Sequence, residues 1–182
     1  VIPTPGVAYL VKKYNLDAGI VISASHNPME YNGIKFFDGS GFKLPDKLEE
    51  EIEDYILNRF NEIPNLTGKD LGVTEESDEL SLVYEDYLVS CASEKFEGIR
   101  VVLDCANGAA SKIGPSALFR LGAEVNVINN EPNGININDN CGSTHMDSLI
   151  SRVKELNANI GFAFDGDAAR CHAVDDNGEL ID

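Results

Sequence analysis

The chain has 182 residues, of which 43% are hydrophobic and 25% charged, and its formal net charge is −17. This composition is that of a globular protein with a sizeable core, and such an acidic chain lacks a general electrostatic surface for nucleic acid or an anionic membrane. Residues 46–97 hold 16 acids and 4 bases, so −12 of the net charge lies there, and the rest of the chain can still hold an anionic ligand locally.

The chain start and the cysteines point to a cytoplasmic location. The first residues show no basic region followed by an apolar run, and no stretch approaches the ~20 apolar residues that span a bilayer. The four cysteines form no C-x-x-C pair, which favours a reduced compartment, and Cys105 is predicted to be a small buried residue. Because the first residue is not Met, we expect a processed chain or a piece of a longer one.

The first part of the chain predicts three helices and two strands. Residues 5–14 carry apolar side chains at helical spacing, and the nearly continuous apolar run 18–22 is typical of a strand covered on both faces. Apolar residues recur every four positions over 48–60, which predicts an amphipathic helix with Asp46 as its N-cap. The remaining predictions are a strand over 33–37, a loop over 61–78 and a helix over 80–92.

A different pattern begins near Ile99: from there on, short predicted strands alternate with predicted helices of about ten residues. We predict strands over 99–103, 124–128 and 160–164, helices over 108–121 and 146–156, a polar loop over 129–142, and a hairpin around Asn177-Gly178. The expected fold is therefore α/β, with two βαβ-type domains whose mixed, mostly parallel sheets are flanked by helices. The predicted domains are 1–97, which opens on a helix and is expected to be truncated, and 98–182.

The first candidate site is the polar loop Ser23-Ala24-Ser25-His26-Asn27-Pro28, which follows the apolar run 18–22. A strand delivers a serine and a histidine there at its carboxyl end, the edge where ligands bind in open α/β sheets. A serine hydroxyl needs a neighbouring base or cation to act as a nucleophile. Taken alone, the segment is more typical of a turn or helix cap built of small polar residues.

The second candidate site is Asp165-Gly166-Asp167-Ala168-Ala169-Arg170, which follows another apolar run. Asp165 and Asp167 point the same way if the chain is extended, and a Mg²⁺ or Ca²⁺ ion would relieve their repulsion. Arg170 could hold a phosphate that also touches the metal; the alternative is a solvated Asp-Gly turn. Lys35, inside an apolar strand, is either an edge-strand charge or a cation aimed into a site.

Together these motifs resemble the α-D-phosphohexomutase superfamily, and most closely its phosphoglucosamine mutase branch. The resemblance covers nearly the whole chain, and two motifs at the family's separation are far more specific than either alone. The family has four domains, and this sequence is similar to the later part of the first and to all of the second. The matching segments are 22–28 with 32–35 (phosphoserine loop), 165–170 (metal loop), 133–138 with 141–145 (phosphoglucosamine mutase branch, as is Ser23), and 101–109 (start of the second domain).

The resemblance implies a role for each matching residue. Ser25 matches the serine that bears the transferable phosphate, His26 the active-site histidine, and Lys35 the lysine that assists proton movement at the reacting hydroxyl. Arg170 is expected to hold a substrate phosphate. Both loops follow apolar strands, so we expect Ser25 to converge with the two aspartates of the metal loop.

The implied metal site departs from the family at one position. Asp165 and Asp167 match two of three metal-ligating aspartates, but the third position is Ala169, whose methyl group cannot coordinate Mg²⁺. The expected ligands are therefore these two carboxylates and an oxygen on Ser25, with water at the third position.

The implied reaction is conversion of glucosamine 6-phosphate to glucosamine 1-phosphate through a phosphoserine and a bisphosphorylated sugar. Mg²⁺ is the expected cofactor, and a sugar 1,6-bisphosphate the activator. The expected partners are the hexosamine phosphate and a second subunit of a full-length homodimer, with neither nucleic acid nor membrane. The alternatives are a phosphomannomutase or phosphoglucomutase of the same superfamily, or a non-catalytic fragment that binds phosphate or a cation. The 182-residue piece itself is expected to be inactive because the sugar-recognition and phosphate-binding domains are absent.

Overall fold

The computed structural model describes residues 1–181, so that Asp182, the last residue of the second predicted domain, lies outside the described residues. The first part of the chain forms the predicted helices and strands: α1 (Thr4–Tyr14), β1 (Ala18–Ser23), β2 (Gly33–Asp38), α2 (Asp46–Leu57) and α3 (Glu79–Ser90). The strands β1 and β2 pair antiparallel, with Ser23 opposite Gly33. The polar loop after β1 therefore connects the two strands of this small sheet.

The second part of the chain forms a five-stranded mixed sheet with helices on its faces. Its elements are β3 (Arg100–Asp104), α4 (Ala110–Arg120), β4 (Glu124–Ile128), α5 (Asp147–Leu156), β5 (Ile160–Phe164), β6 (Cys171–Asp175) and β7 (Leu180–Ile181). The strand order is β4-β3-β5-β6-β7. The strand β3 is parallel to both of its neighbours, β4 and β5, whereas β6 is antiparallel to both of its neighbours, β5 and β7. The predicted α/β class with a mixed sheet is confirmed, as is the hairpin between β6 and β7. The sheets are not mostly parallel as expected, because β1 with β2, β5 with β6 and β6 with β7 all pair antiparallel.

Two of the helices, α1 and α5, end at an asparagine in the left-handed conformation. Asn15 (φ 50°) ends α1 and Asn157 (φ 46°) ends α5, and the backbone N–H of each bonds to carbonyls of the last turn. The longest helices have twelve residues, and within 1–181 no helix is long and apolar enough to cross a membrane.

The core lies on both faces of the mixed sheet because successive side chains of β3 point to opposite sides. Val102 packs with Leu149 and Val153 of α5, and all three are fully buried. Leu103 and Cys105 pack on the other face beside the start of α4. The prediction that Cys105 is a small buried residue is confirmed, since it is 0% exposed.

Two sequence-based expectations for the first part were wrong. We expected β1 to be covered on both faces, but Ile20 and Ile22 are 57% and 73% exposed. The helix α1 covers only the other face, where Gly19 lies against Val11. Asp46 is the first residue of α2 rather than its N-cap, which is Pro45, and all twelve residues of α2 are at least partly exposed.

Candidate active site

The loop that follows β5 lies at the crevice of the mixed sheet. The helix α4 leads from β3 to β4 on one side of β3, and α5 leads back to β5 on the other side. The loops after β3 and β5 therefore border the point where the strand order reverses, which is where open α/β sheets bind ligands. Asp165 and Asp167 stand in the loop after β5, at 0% and 2% exposure.

The structure brings Ser25, Lys35 and Asp167 together, although 142 residues separate the serine from the aspartate. The Ser25 hydroxyl donates to Asp167 Oδ1 at 3.2 Å. Lys35 Nζ lies 2.5 Å from Asp167 Oδ2 and 3.4 Å from Ser25 Oγ. A hydroxyl, a carboxylate and an ammonium group thus meet at one point, where the ammonium group is placed to donate a proton to the serine oxygen.

Asp167 stays ionised in spite of its burial. Burial acts to raise the pKa of this carboxyl, but hydrogen bonds from Lys35 and Thr4 hold its pKa below the ordinary value. The Thr4 hydroxyl donates to Asp167 Oδ2 at 2.5 Å, and the Thr4 backbone N–H donates to the Asp167 carbonyl at 2.9 Å. The start of α1 therefore fixes both the backbone and the side chain of Asp167.

Asp165 presents one satisfied oxygen and one orphaned oxygen. Its Oδ1 accepts the backbone N–H groups of Ala169 and Arg170 at 3.0 and 2.9 Å. Its Oδ2 is buried and has no hydrogen-bond partner among the described residues. Burial, and then the neighbouring Asp167 carboxylate, raise the pKa of Asp165. A buried oxygen without a partner beside a second carboxylate is the environment that a divalent cation would relieve.

The loop that carries these aspartates is a turn and not the extended segment that we expected. The strand β5 ends at Phe164, and the chain then turns with Ala168 in the left-handed region (φ 54°). The turn after β5, and not one face of a strand, therefore brings the two carboxylates close enough for Asp167 to act on Asp165.

The described residues offer only two acids to a metal ion at this point. Among residues 1–181 no cluster of three or more His, Cys, Asp or Glu side chains could hold one. Ala169 is exposed, and its contribution to the loop is the backbone N–H that it donates to Asp165. A cation here would be held by Asp165, Asp167 and an oxygen on Ser25.

His26 and Arg170 flank the cluster on its two loops. His26 directly follows Ser25, and its Nδ1 is buried with no partner in the described part of the chain. Arg170 directly follows the metal-loop turn and is exposed, which leaves its guanidinium accessible to an anionic ligand.

Two residues that the sequence-based prediction missed hold the loops in place. One is Thr4, described above, which looks in the sequence like an ordinary residue before a helix-starting proline. The other is Asn138, whose side-chain amide donates to the carbonyls of Ser25 and Asn27 at 2.9 and 2.8 Å. Asn138 ends the segment 133–138 that resembles the phosphoglucosamine mutase branch, but the sequence gives it no role that its asparagine neighbours lack.

Glycine is required where the two loops cross. The Gly166 N–H donates to the Ser25 carbonyl at 3.0 Å, and a Cβ on Gly166 would lie 2.7 Å from that same oxygen. A Cβ on Gly108 would collide with the Gly166 backbone, to which Ala109 donates a hydrogen bond at 2.8 Å. The loop after β3, the metal loop (165–170) and the loop after β1 that carries Ser25, which we call the serine loop, are therefore stacked in backbone contact.

Comparison with known proteins gives two family matches. Residues 1–62 match "Phosphoglucomutase/phosphomannomutase, alpha/beta/alpha domain I", and residues 82–178 match "alpha/beta/alpha domain II" of the same family. Phosphoglucosamine mutase of Ruminiclostridium cellulolyticum is 53% identical over 182 residues, which is all of this chain and 40% of that protein. The chain thus spans about two fifths of the length of such relatives.

Solved structures share the fold. A phosphoglucomutase/phosphomannomutase family protein from Burkholderia thailandensis superposes with a TM-score of 0.80 at 24% identity, covering 100% of this chain and 40% of that one. N-acetylphosphoglucosamine mutase of Aspergillus fumigatus, solved in complex with GlcNAc-6P and magnesium, superposes with a TM-score of 0.51 at 17% identity, covering 98% and 48%.

Proposed function

The chain belongs to the phosphoglucomutase/phosphomannomutase family, and from that premise we propose that the protein of which it forms about two fifths is a phosphoglucosamine mutase. The proposed reaction interconverts glucosamine 6-phosphate and glucosamine 1-phosphate. The identity of 53% along the whole chain to a phosphoglucosamine mutase supports this choice of sugar. We also propose that residues 1–97 are the later part of the first domain and residues 98–182 the second domain.

The observation that carries the proposal is the contact of Ser25 with Asp167 and Lys35 across the two loops. A phosphoryl group on Ser25 Oγ is transferred to the free hydroxyl of the bound sugar phosphate: the bond from phosphorus to Oγ breaks and a bond to the sugar oxygen forms. Lys35 supplies a proton to Oγ as the serine leaves and regains one from the sugar hydroxyl that becomes phosphorylated. When the serine attacks the other phosphate, the same proton movements run in reverse. Positioning and charge neutralisation are the main contributions that a protein makes to such a transfer.

We propose Mg²⁺ as the cation of this site. Asp165, Asp167 and a phosphate oxygen on Ser25 would hold it, with water in place of the carboxylate that Ala169 lacks. When bound, the ion offsets negative charge on the transferring phosphoryl group. The orphaned oxygen of Asp165 supports the assignment, as does the magnesium reported for the Aspergillus fumigatus relative.

His26 and Arg170 complete the proposed site from either side. Arg170 is accessible and would bind a substrate phosphate through its guanidinium. His26 directly follows the proposed phosphoserine, so its ring is placed to contact the sugar or its phosphate. A sugar 1,6-bisphosphate would load Ser25 with its first phosphate. The homodimer and the cytoplasmic location stay predictions.

The test is turnover by the full-length protein with Ser25→Ala. We expect this variant to lose conversion of glucosamine 6-phosphate, because no hydroxyl remains to carry the phosphate. Ser77→Ala, in the exposed loop before α3, is the matched control and is expected to keep wild-type activity. Undiminished turnover by Ser25→Ala would disprove the proposed mechanism.

The sugar is tested in the same assay. Glucose and mannose 6-phosphates, presented to the wild-type enzyme, are expected to turn over less efficiently than glucosamine 6-phosphate. A higher kcat/KM for either of them would assign the enzyme to another branch of the family. The 182-residue piece alone is expected to show no turnover, since binding energy from remote contacts with the sugar is needed to position the reacting hydroxyl.

A further inference from the structure

We propose that Asn138 is a positioning residue for phosphoryl transfer, whose side-chain amide fixes the backbone of the serine loop so that Ser25 Oγ faces Asp167. The inference rests on the proposed function and extends it to a residue outside both motif loops. Asn138 lies in the polar loop between β4 and α5 and is 7% exposed.

The backbone of Ser25 needs to be held because its conformation is strained. Its φ is 56°, in the left-handed region, which is unfavourable for a serine and persists only where surrounding contacts enforce it. The Ser25 N–H donates to Ser23 Oγ at 2.9 Å. The Ser25 carbonyl accepts two hydrogen bonds, from Gly166 N–H at 3.0 Å and from Asn138 Nδ2 at 2.9 Å.

Asn138 is suited to this task because a neutral side-chain amide carries two donors. The same Nδ2 also donates to the Asn27 carbonyl at 2.8 Å. One side chain thus donates hydrogen bonds to the carbonyls of Ser25 and Asn27, which lie on either side of His26. The loop is held at both ends of the segment that carries the proposed nucleophile and histidine.

Asn138 is itself anchored to the central strand of the mixed sheet. Its backbone N–H donates to the Ala106 carbonyl at 3.0 Å, and the Ala106 N–H donates to Asp104 Oδ1 at 2.9 Å. Asp104 is the last residue of β3 and is fully buried. A continuous series of hydrogen bonds therefore leads from the rigid sheet to the backbone of Ser25, and misplacement of a reacting group by about 1 Å can cost on the order of 10²-fold in rate.

The test compares two glycine substitutions in the full-length enzyme. Asn138→Gly removes the amide, and Asn140→Gly is its matched control. Both positions have positive φ (57° and 52°), which glycine tolerates without strain. Asn140 is exposed and its amide bonds only to Asp139 among the described residues. We expect kcat of Asn138→Gly to fall about 10- to 100-fold relative to Asn140→Gly, with KM for glucosamine 6-phosphate within twofold. The loss of two hydrogen bonds from a buried amide should also lower the melting temperature, but the variant should stay folded at the assay temperature.

A second variant and a second measurement complete the test. Asn138→Asp keeps the size but turns the donors into acceptors that face two carbonyls, so its kcat should fall at least as far. Hydrogen–deuterium exchange of the peptide over 23–28 should be faster in both Asn138 variants than in Asn140→Gly.

The inference is overturned if Asn138→Gly matches Asn140→Gly in kcat, if only KM changes, or if the fall in kcat is matched by a loss of folded protein. If the wild-type enzyme does not convert glucosamine 6-phosphate, the proposed function fails instead. The exchange measurement then still decides whether Asn138 holds the loop, and unchanged exchange would overturn that as well.

Discussion

Residues 1–97 and 98–181 differ sharply in how they are packed. Both hydrophobic core clusters lie in the second region, where Val102, Leu149 and Val153 are fully buried on one face of a five-stranded sheet. The first region has a two-stranded sheet with one bare apolar face and an acidic helix α2 without a buried residue in its described span. The proposed nucleophile stands on the less packed region, and the residues that fix its loop come largely from the better packed one.

Hydrogen bonds join the two regions at several places. One is the crossing of the serine loop with the metal loop, through Ser25, Gly166 and Asn138. A second is the start of α1, where Thr4 bonds to Asp167. A third joins α3 to α4, where buried Glu85 accepts hydrogen bonds from Arg120 at 2.9 Å and Ser116 at 2.7 Å. The comparison suggests that the second region acts as the scaffold and that the first presents a loop to it.

The largest expected effect on stability separates the two regions directly. Leu149→Ala, in the fully buried core of the second region, should lower the free energy of unfolding by about 2–5 kcal/mol. Leu57→Ala, in α2 of the first region and 76% exposed, should change it by less than about 0.5 kcal/mol. Urea denaturation of the full-length protein measures both changes. Equal losses of unfolding free energy in the two variants would contradict the difference in packing between the two regions.

The next prediction concerns the contact between the serine loop and the metal loop. In Gly166→Ala the new Cβ would lie 2.5 Å from Ile137 and 2.7 Å from the Ser25 carbonyl, which should cost about 3 kcal/mol and displace the nucleophile. We expect strongly reduced kcat in the full-length enzyme. Gly72→Ala, with no atom within 4 Å of its Cβ, serves as the control. Wild-type kcat in Gly166→Ala would show that the crossing does not position Ser25.

A smaller effect comes from Thr4, which helps to keep Asp167 ionised. Thr4→Val removes a hydrogen bond to a buried carboxylate and should cost about 2 kcal/mol at neutral pH. The pKa of Asp167 is lowered in the folded protein, so its contribution to stability is present above the unfolded pKa of about 3.9 and is lost as the pH falls through the folded value.

The difference between wild type and Thr4→Val should therefore be constant near neutral pH and shrink below about pH 4. Denaturation midpoints between pH 3 and 8 measure it, with exposed Thr74→Val as the control. A difference that grows as the pH falls would contradict the assigned role.

The smallest effect concerns the metal loop. Ala169→Asp in the full-length enzyme should tighten Mg²⁺ binding by about 1.4 kcal/mol, a factor of ten, because a third carboxylate joins Asp165 and Asp167. It should also lower the melting temperature of the metal-free protein slightly, since three acids then repel one another. Titration of Mg²⁺ followed by thermal shift measures both. Equal affinities would mean that position 169 does not face the cation.

The sequence predicted much of the fold because its local signals agree with the tertiary structure. The asparagine at the end of α5, the hairpin at Asn177-Gly178 and the apolar strand before Asp165 are each determined by neighbouring residues. The exposure of Ile22 was not predictable, because a continuous apolar run does not show how many of a strand's faces are covered.

For the candidate site, the sequence identified the residues with distinctive chemistry and missed those that hold them. Ser25 and Asp167 stand out by type and by position after a strand, and Lys35 stands out as a charge inside a strand. Thr4 and Asn138 act through contacts with residues 163 and 113 positions away. No local pattern encodes such contacts, since they exist only once the two regions have docked.

The most direct test of the account is to follow the phosphate on the enzyme through one turnover. Full-length wild-type protein, loaded with labelled sugar 1,6-bisphosphate, should carry label on Ser25 when its peptides are mapped by mass spectrometry. Addition of unlabelled glucosamine 6-phosphate should transfer that label to the sugar within one turnover. Label on Ser23 instead, or label on Ser25 that stays when the sugar is added, would contradict the claim that Ser25 is the phosphate carrier of this site.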